Sequence, residues 1–348
     1  MEKIFSFDEC IESSNPKKHL ILGNGFSVDL FPHIFNYKRL AEKITDSNIK
    51  AIFDEFNTSD FEYVVLKLTE SLRILNYYDE DRLIYEKVKL DAEKLKEILI
   101  TVITESHPEN PSTISIDQYL SCYEFLKHFE EGRKYTFNYD LLLYWVFMHF
   151  IDDDLHRLKS DDGFRTDYDD NSMVTWEIGR EHQQTLYYLH GAMHIFKDKH
   201  AVIQKFTWKN KLLTIGEQVR KSINDNKFPV FISEGTQEHK MQRIKENGYL
   251  ARSFSSLKGL SGDLFIFGHS IRDEDNHVFE IMNDNAKLKK IFISLYGEQS
   301  SETNQKIINK IQQWRNEFTF KGREYLFYDS KSVNVWNREV NDWNLNQL

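Results

Sequence analysis

Eight short apolar runs divide the chain, and most are separated by stretches in which apolar residues recur at helical spacing. The runs are His19 to Leu22, Lys134 to Phe137, Thr185 to Leu189, Ala201 to Trp208, Pro229 to Ser233, Leu264 to Phe267, Ile291 to Leu295 and Glu324 to Tyr328. Glu238 to Leu257 and Ser301 to Phe318 are two of the helical intervals. This alternation predicts an α/β fold with a Rossmann-like parallel sheet. The interval after the first run differs, because Tyr37 to Phe129 holds hardly a strand candidate. Within it, Ser59-Asp60-Phe61-Glu62 forms a capping box that opens a helix through Leu75, and Ile116, Tyr119, Leu120 and Tyr123 recur at helical spacing. The predicted organisation is one domain made of 1–36 and 130–348, interrupted by a helical insertion over 37–129.

Composition narrows the function classes. The 348 residues carry 45 Lys and Arg against 55 Asp and Glu, a net charge of −10 that argues against nucleic acid as the principal partner. With 40% hydrophobic residues the chain has enough apolar surface to bury a core. Cys10 and Cys122 cannot build a disulfide framework or a four-cysteine zinc site, and reduced thiols point to the cytoplasm. Met1 to Ser14 lacks the apolar run of a signal peptide, so no export is expected. The longest apolar stretch, Leu141 to Ile151, is about half the roughly 20 residues that span a bilayer, so it reads as a buried helix and no membrane partner is expected. The acidic segment Asp152 to Asp170 reads as a solvated loop. Its best calcium-loop match, Asp167-x-Asp169-x-Asn171, has Ser172 where the motif needs Gly and Ile178 where it needs Glu.

Four of the runs end abruptly in small or polar residues. They are HLIL before Gly23-Asn24-Gly25-Phe26-Ser27, KYTF before Asn138-Tyr139-Asp140, TLYYL before His190-Gly191, and LFIF before Gly268-His269-Ser270. In an open parallel sheet, ligands bind at the carboxyl ends of the strands, so these endings would converge on one crevice. The first is either a tight turn or a place where backbone N–H groups approach a pyrophosphate, and Val28 stands where the G-x-G-x-x-G pattern needs its third glycine. Asn138 is either an N-cap or a hydrogen-bonding group for a ribose hydroxyl or a water. His190 is either a structural histidine or a general base. His190 and His194 have the spacing of a zincin helix, but Gly191 replaces the Glu and the context reads as strand, so that motif is rejected. Asp273 and Asp275 are expected to cap a helix.

Taken together, these pieces resemble the sirtuin superfamily, specifically the sirtuin-like domains of bacterial antiviral defence proteins. Gly23-Asn24-Gly25-Phe26-Ser27 is similar to the family's G-A-G-x-S loop, and Thr136-Phe137-Asn138-Tyr139-Asp140 to its T-x-N-x-D motif. His190-Gly191 matches its H-G pair and Gly268-His269-Ser270 its G-T-S loop, in the family's order. Phe31 to Tyr37 departs from the family's G-I-P-D-F-R segment, and the zinc ribbon of the deacylating members cannot be built from two cysteines. The resemblance implies a sirtuin-type fold without a zinc ribbon that takes NAD as its substrate and needs no metal. The diphosphate would lie on Gly23, Asn24, Gly25, Phe26 and Ser27, with ribose contacts from Ser27 or from Gly268, His269 and Ser270. Asn138 and His190 would be catalytic, in hydrolysis of the nicotinamide–ribose bond, and Asp140 would shape the nicotinamide pocket or cap its helix. The expected partners are NAD, further copies of the chain, and a separate activating or sensor protein, with residues 37–129 as the control surface. The alternatives are protein deacylation or ADP-ribosyl transfer, and a nucleotide sensor without turnover.

Overall fold

The computed structural model describes residues 2–34, 44, 46–56, 61–108, 110–166, 173–177, 179, 183–197, 202–206, 217–218, 229–232, 237–318 and 323–337. The capping residues Ser59 and Asp60, the calcium-loop match at 167–172 with Ile178, and 35–37 of the departing segment lie outside the described residues. The described strands are β1 (Ile4–Phe5), β2 (Lys18–Leu22), β3 (Lys134–Thr136), β4 (Phe164–Thr166), β5 (Met173–Trp176), β6 (Leu186–Tyr188), β7 (Gly191–Lys197), β8 (Ile203–Phe206), β9 (Pro229–Phe231), β10 (Gly262–Phe267), β11 (Leu288–Leu295) and β12 (Glu324–Asp329). The described helices are α1 (Phe7–Ser13), α2 (Gly25–Leu30), α3 (Ser47–Glu55), α4 (Phe61–Tyr78), α5 (Leu83–Ser106), α6 (Ile116–Lys127), α7 (Leu142–His149), α8 (Gln237–Glu246), α9 (Gly248–Ser256), α10 (Asn276–Asp284) and α11 (Glu302–Glu317).

Seven strands form one sheet in the order β1-β12-β11-β10-β2-β3-β6. Every neighbouring pair is parallel. From β2 the chain adds β3 and β6 on one side, then crosses over and adds β10, β11 and β12 on the other. This is the doubly wound order of a Rossmann-like fold, and its switch point lies between β2 and β10. The central strands are apolar without alternation because both faces are covered. Leu20, Ile21 and Leu22 of β2, Leu264, Phe265 and Ile266 of β10, and Ile291, Phe292 and Ile293 of β11 are all fully buried.

A second sheet, β4-β5-β8-β7-β9, is antiparallel and corrects the expectation of a single parallel sheet. Two expected parallel strands, Ala201 to Trp208 and Pro229 to Ser233, contribute β8 and β9 to it. Part of the expected acidic loop forms β4. β6 passes into β7 through only Leu189 and His190, a reversal that Gly191 permits with φ of +81°.

The helical block divides in two. Helices α3 to α5 pack around their own small core of Ile44, Ile49, Phe53, Val64, Leu68, Ala92 and Leu95. Helix α6 belongs to the main core instead, where Phe125 meets Phe267 at 5.5 Å and Phe7 at 5.6 Å between ring centroids. The C-terminal segment returns to the first loop, with Trp336 Nε1 donating to the Phe26 carbonyl at 2.8 Å.

At the switch point the loops after β2 and β10 interlock through their backbones. Gly23 N–H donates to Phe267 O at 2.9 Å, and Gly25 N–H to Gly268 O at 2.8 Å. A Cβ on Gly25 would lie 2.5 Å from Gly268 Cα, and one on Gly23 would lie 2.6 Å from Gly268 O. Gly268 also has φ of +67°, and its own Cβ would meet Gly25 Cα at 2.7 Å. Gly297 has a similar φ of +73° with open space around it. Gly268→Ala is therefore expected to lower unfolding free energy by about 3 kcal/mol, against about 1 kcal/mol for Gly297→Ala, where only backbone strain acts. Urea unfolding of the two variants measures the difference, and equal losses would show that the loops do not depend on this close approach.

Candidate active site at the switch point

The first polar group of the crevice comes from α2 and the end of β3. Ser27, fully buried, donates its hydroxyl to Asp140 Oδ2 at 2.5 Å and accepts from Asn138 Nδ2 at 2.9 Å. The Thr136 hydroxyl accepts from Asn138 N–H at 3.0 Å, which sets the chain direction leaving β3. Asp140 Oδ1 accepts from Leu142 N–H at 2.9 Å in the first turn of α7. Asp140 thus both caps its helix and ties β3 to the first loop. Burial pushes its carboxyl up to about 6, with the hydrogen bonds from Ser27 and Leu142 opposing. The next residue, Leu141, donates its N–H to His107 Nε2 at 3.0 Å, a contact from the end of the helical block.

The second polar group is built on Asp275. His269 Nε2 lies 3.3 Å from Asp275 Oδ2, Lys240 Nζ 3.1 Å from Oδ1, and His190 Nε2 3.8 Å from Oδ1. His277 Nε2 faces His190 Nε2 at 3.3 Å, with the two rings stacked. His190, His277 and Lys240 are each 2% exposed. His269 Nδ1 accepts from Ile271 N–H at 2.9 Å, so its proton resides on Nε2 and is donated to Asp275. Ile271, a buried β-branched residue, is held at φ of +50° by this turn. A left-handed isoleucine is strained, and here the strain sits directly after the Gly268-His269-Ser270 loop. Burial opposes ionisation of Asp275, but the His269 hydrogen bond and the neighbouring positive charge of Lys240 hold it well below the usual carboxylate range. His190 is driven far below its ordinary value, first by burial and then by the Lys240 ammonium, with Asp275 opposing. Burial likewise lowers His277 to about 4.

Phe137, the residue before Asn138, packs against the second group, its ring 4.9 Å from His190 and 4.4 Å from His269. The four strand endings therefore meet at the switch point. Gly23, Gly25 and Gly268 serve the loop interlock, and the N–H groups of Gly23, Gly25, Phe26 and Ser27 donate to Phe267, Gly268, Gly23 and Asn24 carbonyls. Backbone donors of this loop are thus already engaged within the protein. The Phe26 side chain turns into the core against Trp336 at 4.9 Å. Asn24 and Ser270 remain half-buried at the loop edges. The capping expected of Asp275 is corrected, because its side chain makes no cap hydrogen bond to α10 and gathers His190, His269 and Lys240 instead. Asp273 pairs with Lys310 at 2.5 Å. Lys240 carried no signal in the sequence, since it lies in a polar helical stretch remote from the strand ends, and His277, just beyond the Gly268-His269-Ser270 loop, was assigned no role of its own. Elsewhere, Cys10 and Cys122 are both buried, and burial raises both thiols, that of Cys10 to about 12. No described helix is long and apolar enough to cross a membrane.

Buried titratable groups gathered at the switch point of a Rossmann-like sheet define an α/β protein with a built polar cluster. The chain belongs to the family described as a domain of unknown function, DUF4917, which matches residues 20–336. That span runs from β2 to Trp336, the residue pinning the first loop. No curated protein matches the chain.

Four buried histidines set the acid response. His19 and His277 are lowered to about 4, and His190 and His194 lie well below 6.5, in each case chiefly through burial. Unfolding restores values near 6.5, so below that pH the unfolded chain binds more protons and stability falls as pH drops. Asp140 acts oppositely, because its raised carboxyl takes up a proton in the folded state first. The urea midpoint is expected to fall between pH 7.5 and 5, and to fall more steeply in Asp140→Asn. A flat profile would contradict the burial of neutral imidazoles.

Proposed function

We propose that the crevice binds NAD and hydrolyses its nicotinamide–ribose bond. The observation that carries this reading is the meeting of four polar strand endings at the switch point, with Asn138 fixed by Ser27 and with neutral His190 beside ionised Asp275. The order of these endings resembles that of sirtuin-type NAD sites. With the loop N–H groups engaged, the diphosphate is held by side chains such as Asn24 and Ser270 rather than by a backbone cradle.

In this reaction the C1′–N bond breaks and its electron pair moves onto the pyridinium nitrogen, releasing neutral nicotinamide. Water attacks C1′ and gives its proton to His190, leaving ADP-ribose. Asn138 orients the water or a ribose hydroxyl. With Nε2–H directed at His277 and Asp275, the lone pair of neutral His190 is on Nδ1. A base held this low is unprotonated but weak, and Asp275 at 3.8 Å stabilises the imidazolium as it forms.

Chromatography of NAD incubated with the purified protein tests the reading. Nicotinamide and ADP-ribose are expected as products, reduced by at least about 100-fold in folded Asn138→Ala and His190→Ala variants. Full turnover in both variants would contradict the site. Products formed only with an acetylated peptide would indicate deacylation, and binding without turnover would indicate a sensor.

Free NAD hydrolysis harms the cell that holds it, so the proposal includes control by assembly or by an activating protein, in the cytoplasm and in a role such as antiviral defence. The α4–α5 hairpin tip offers a contact surface, with Tyr77, Tyr78 and Leu83 exposed by 83%, 82% and 75%. If copies associate there, Tyr77→Asp with Tyr78→Asp shifts the sedimentation coefficient toward the monomer, and an unchanged coefficient would exclude the tip as the contact.

A further inference from the structure

The face between His190 and His277 has a geometry that proton transfer alone does not require. A tetrahedral cation with bonds of about 2.05 Å holds two ligand nitrogens about 3.3 Å apart. The two Nε2 atoms are 3.3 Å apart, both on fully enclosed rings, and all three ligand atoms of His190, His277 and Asp275 lie within 4.8 Å of one another. Two imidazoles and one carboxylate match the donor preference of zinc and its neighbours in the first transition row. Asp275 and His277 lie two residues apart at the start of α10, and the fold brings His190 to them from the β6–β7 turn. Lys240 Nζ lies 3.1 Å from Asp275 Oδ1 and is the cation with which an incoming metal competes.

We propose that His190, His277 and Asp275 form a binding site for a divalent transition metal of the zinc class, and that its occupation switches the crevice off. The binding half stands by itself, and the switching half rests on the proposed hydrolysis. A neutral imidazole has one lone pair. Bound to a metal through Nε2, His190 carries its proton on Nδ1 and has no lone pair left for the proton of an attacking water. Metal and catalysis are then mutually exclusive states of one side chain, and no bond is made or broken in passing between them other than the metal–ligand bonds and the tautomeric proton shift.

Calorimetric titration of the metal-stripped full chain with zinc chloride tests binding without reference to NAD. One zinc per chain is expected, with affinity weakened at least about tenfold in His277→Ala and in Asp275→Asn, each checked for folding by circular dichroism. Lys240→Gln, which removes the competing ammonium, is expected to bind zinc at least as tightly as the wild type. Unchanged affinity in His277→Ala, or no zinc bound by either the wild type or Lys240→Gln, would overturn the site. If nicotinamide release is observed, zinc is expected to suppress it in the wild type, reversibly with a chelator, and to leave the residual activity of His277→Ala unaffected. Suppression equal in both would overturn the switch while leaving the binding result intact. Zinc bound as expected by a protein that never cleaves NAD would uphold the site and reject the hydrolase reading.

Discussion

The backbone contact between the loops after β2 and β10 is the constraint on which the rest of the site depends. Gly23 and Gly25 approach Gly268 more closely than any side chain allows. That approach fixes the two loops against each other at the switch point. It sets where α2 begins, hence where Ser27 reaches Asn138 and Asp140. On the other side it sets the turn through His269 and the strained Ile271, and so the direction from which His269 meets Asp275. Two polar groups are thereby brought to the same end of the sheet, with Phe137, the residue before Asn138, packed against His190 and His269.

The two groups differ electrostatically although both are buried. Asp140 has only neutral donors, so burial dominates and its carboxyl rises to about 6. Asp275 has Lys240 and His269 at hydrogen-bond distance, so it stays ionised in a comparable environment. Carboxylates separated in this way by their partners have separate tasks. Asp140 tethers and caps, and Asp275 organises imidazoles.

The parallel sheet was legible because strands covered on both faces must be continuously apolar, and the runs around Leu20, Leu264 and Ile291 have that pattern. The endings at Gly23, Asn138, His190 and Gly268 were legible because polar residues at the end of such a run need a reason. The second sheet was not. Its strand β4 is three residues long within an acidic stretch, and β7 starts directly after His190, with Gly191 alone marking the reversal from β6. Asp275 was misread because an acidic residue before a helix resembles a cap in sequence, and only the fold shows its side chain facing His190 and Lys240 instead. Helix α6 looked continuous with the helices before it, since helical spacing does not record which core a face enters.

The central claim is that the switch-point crevice is the nucleotide site. Hydrogen–deuterium exchange with and without a non-cleavable NAD analogue tests it most directly. The account predicts slowed exchange in the segments around Gly23 to Ser27, Phe137 to Asp140, His190 and Gly268 to Ile271, with the N-terminal ends of the same strands unchanged. Protection confined to other surfaces, or none at saturating analogue, would contradict it.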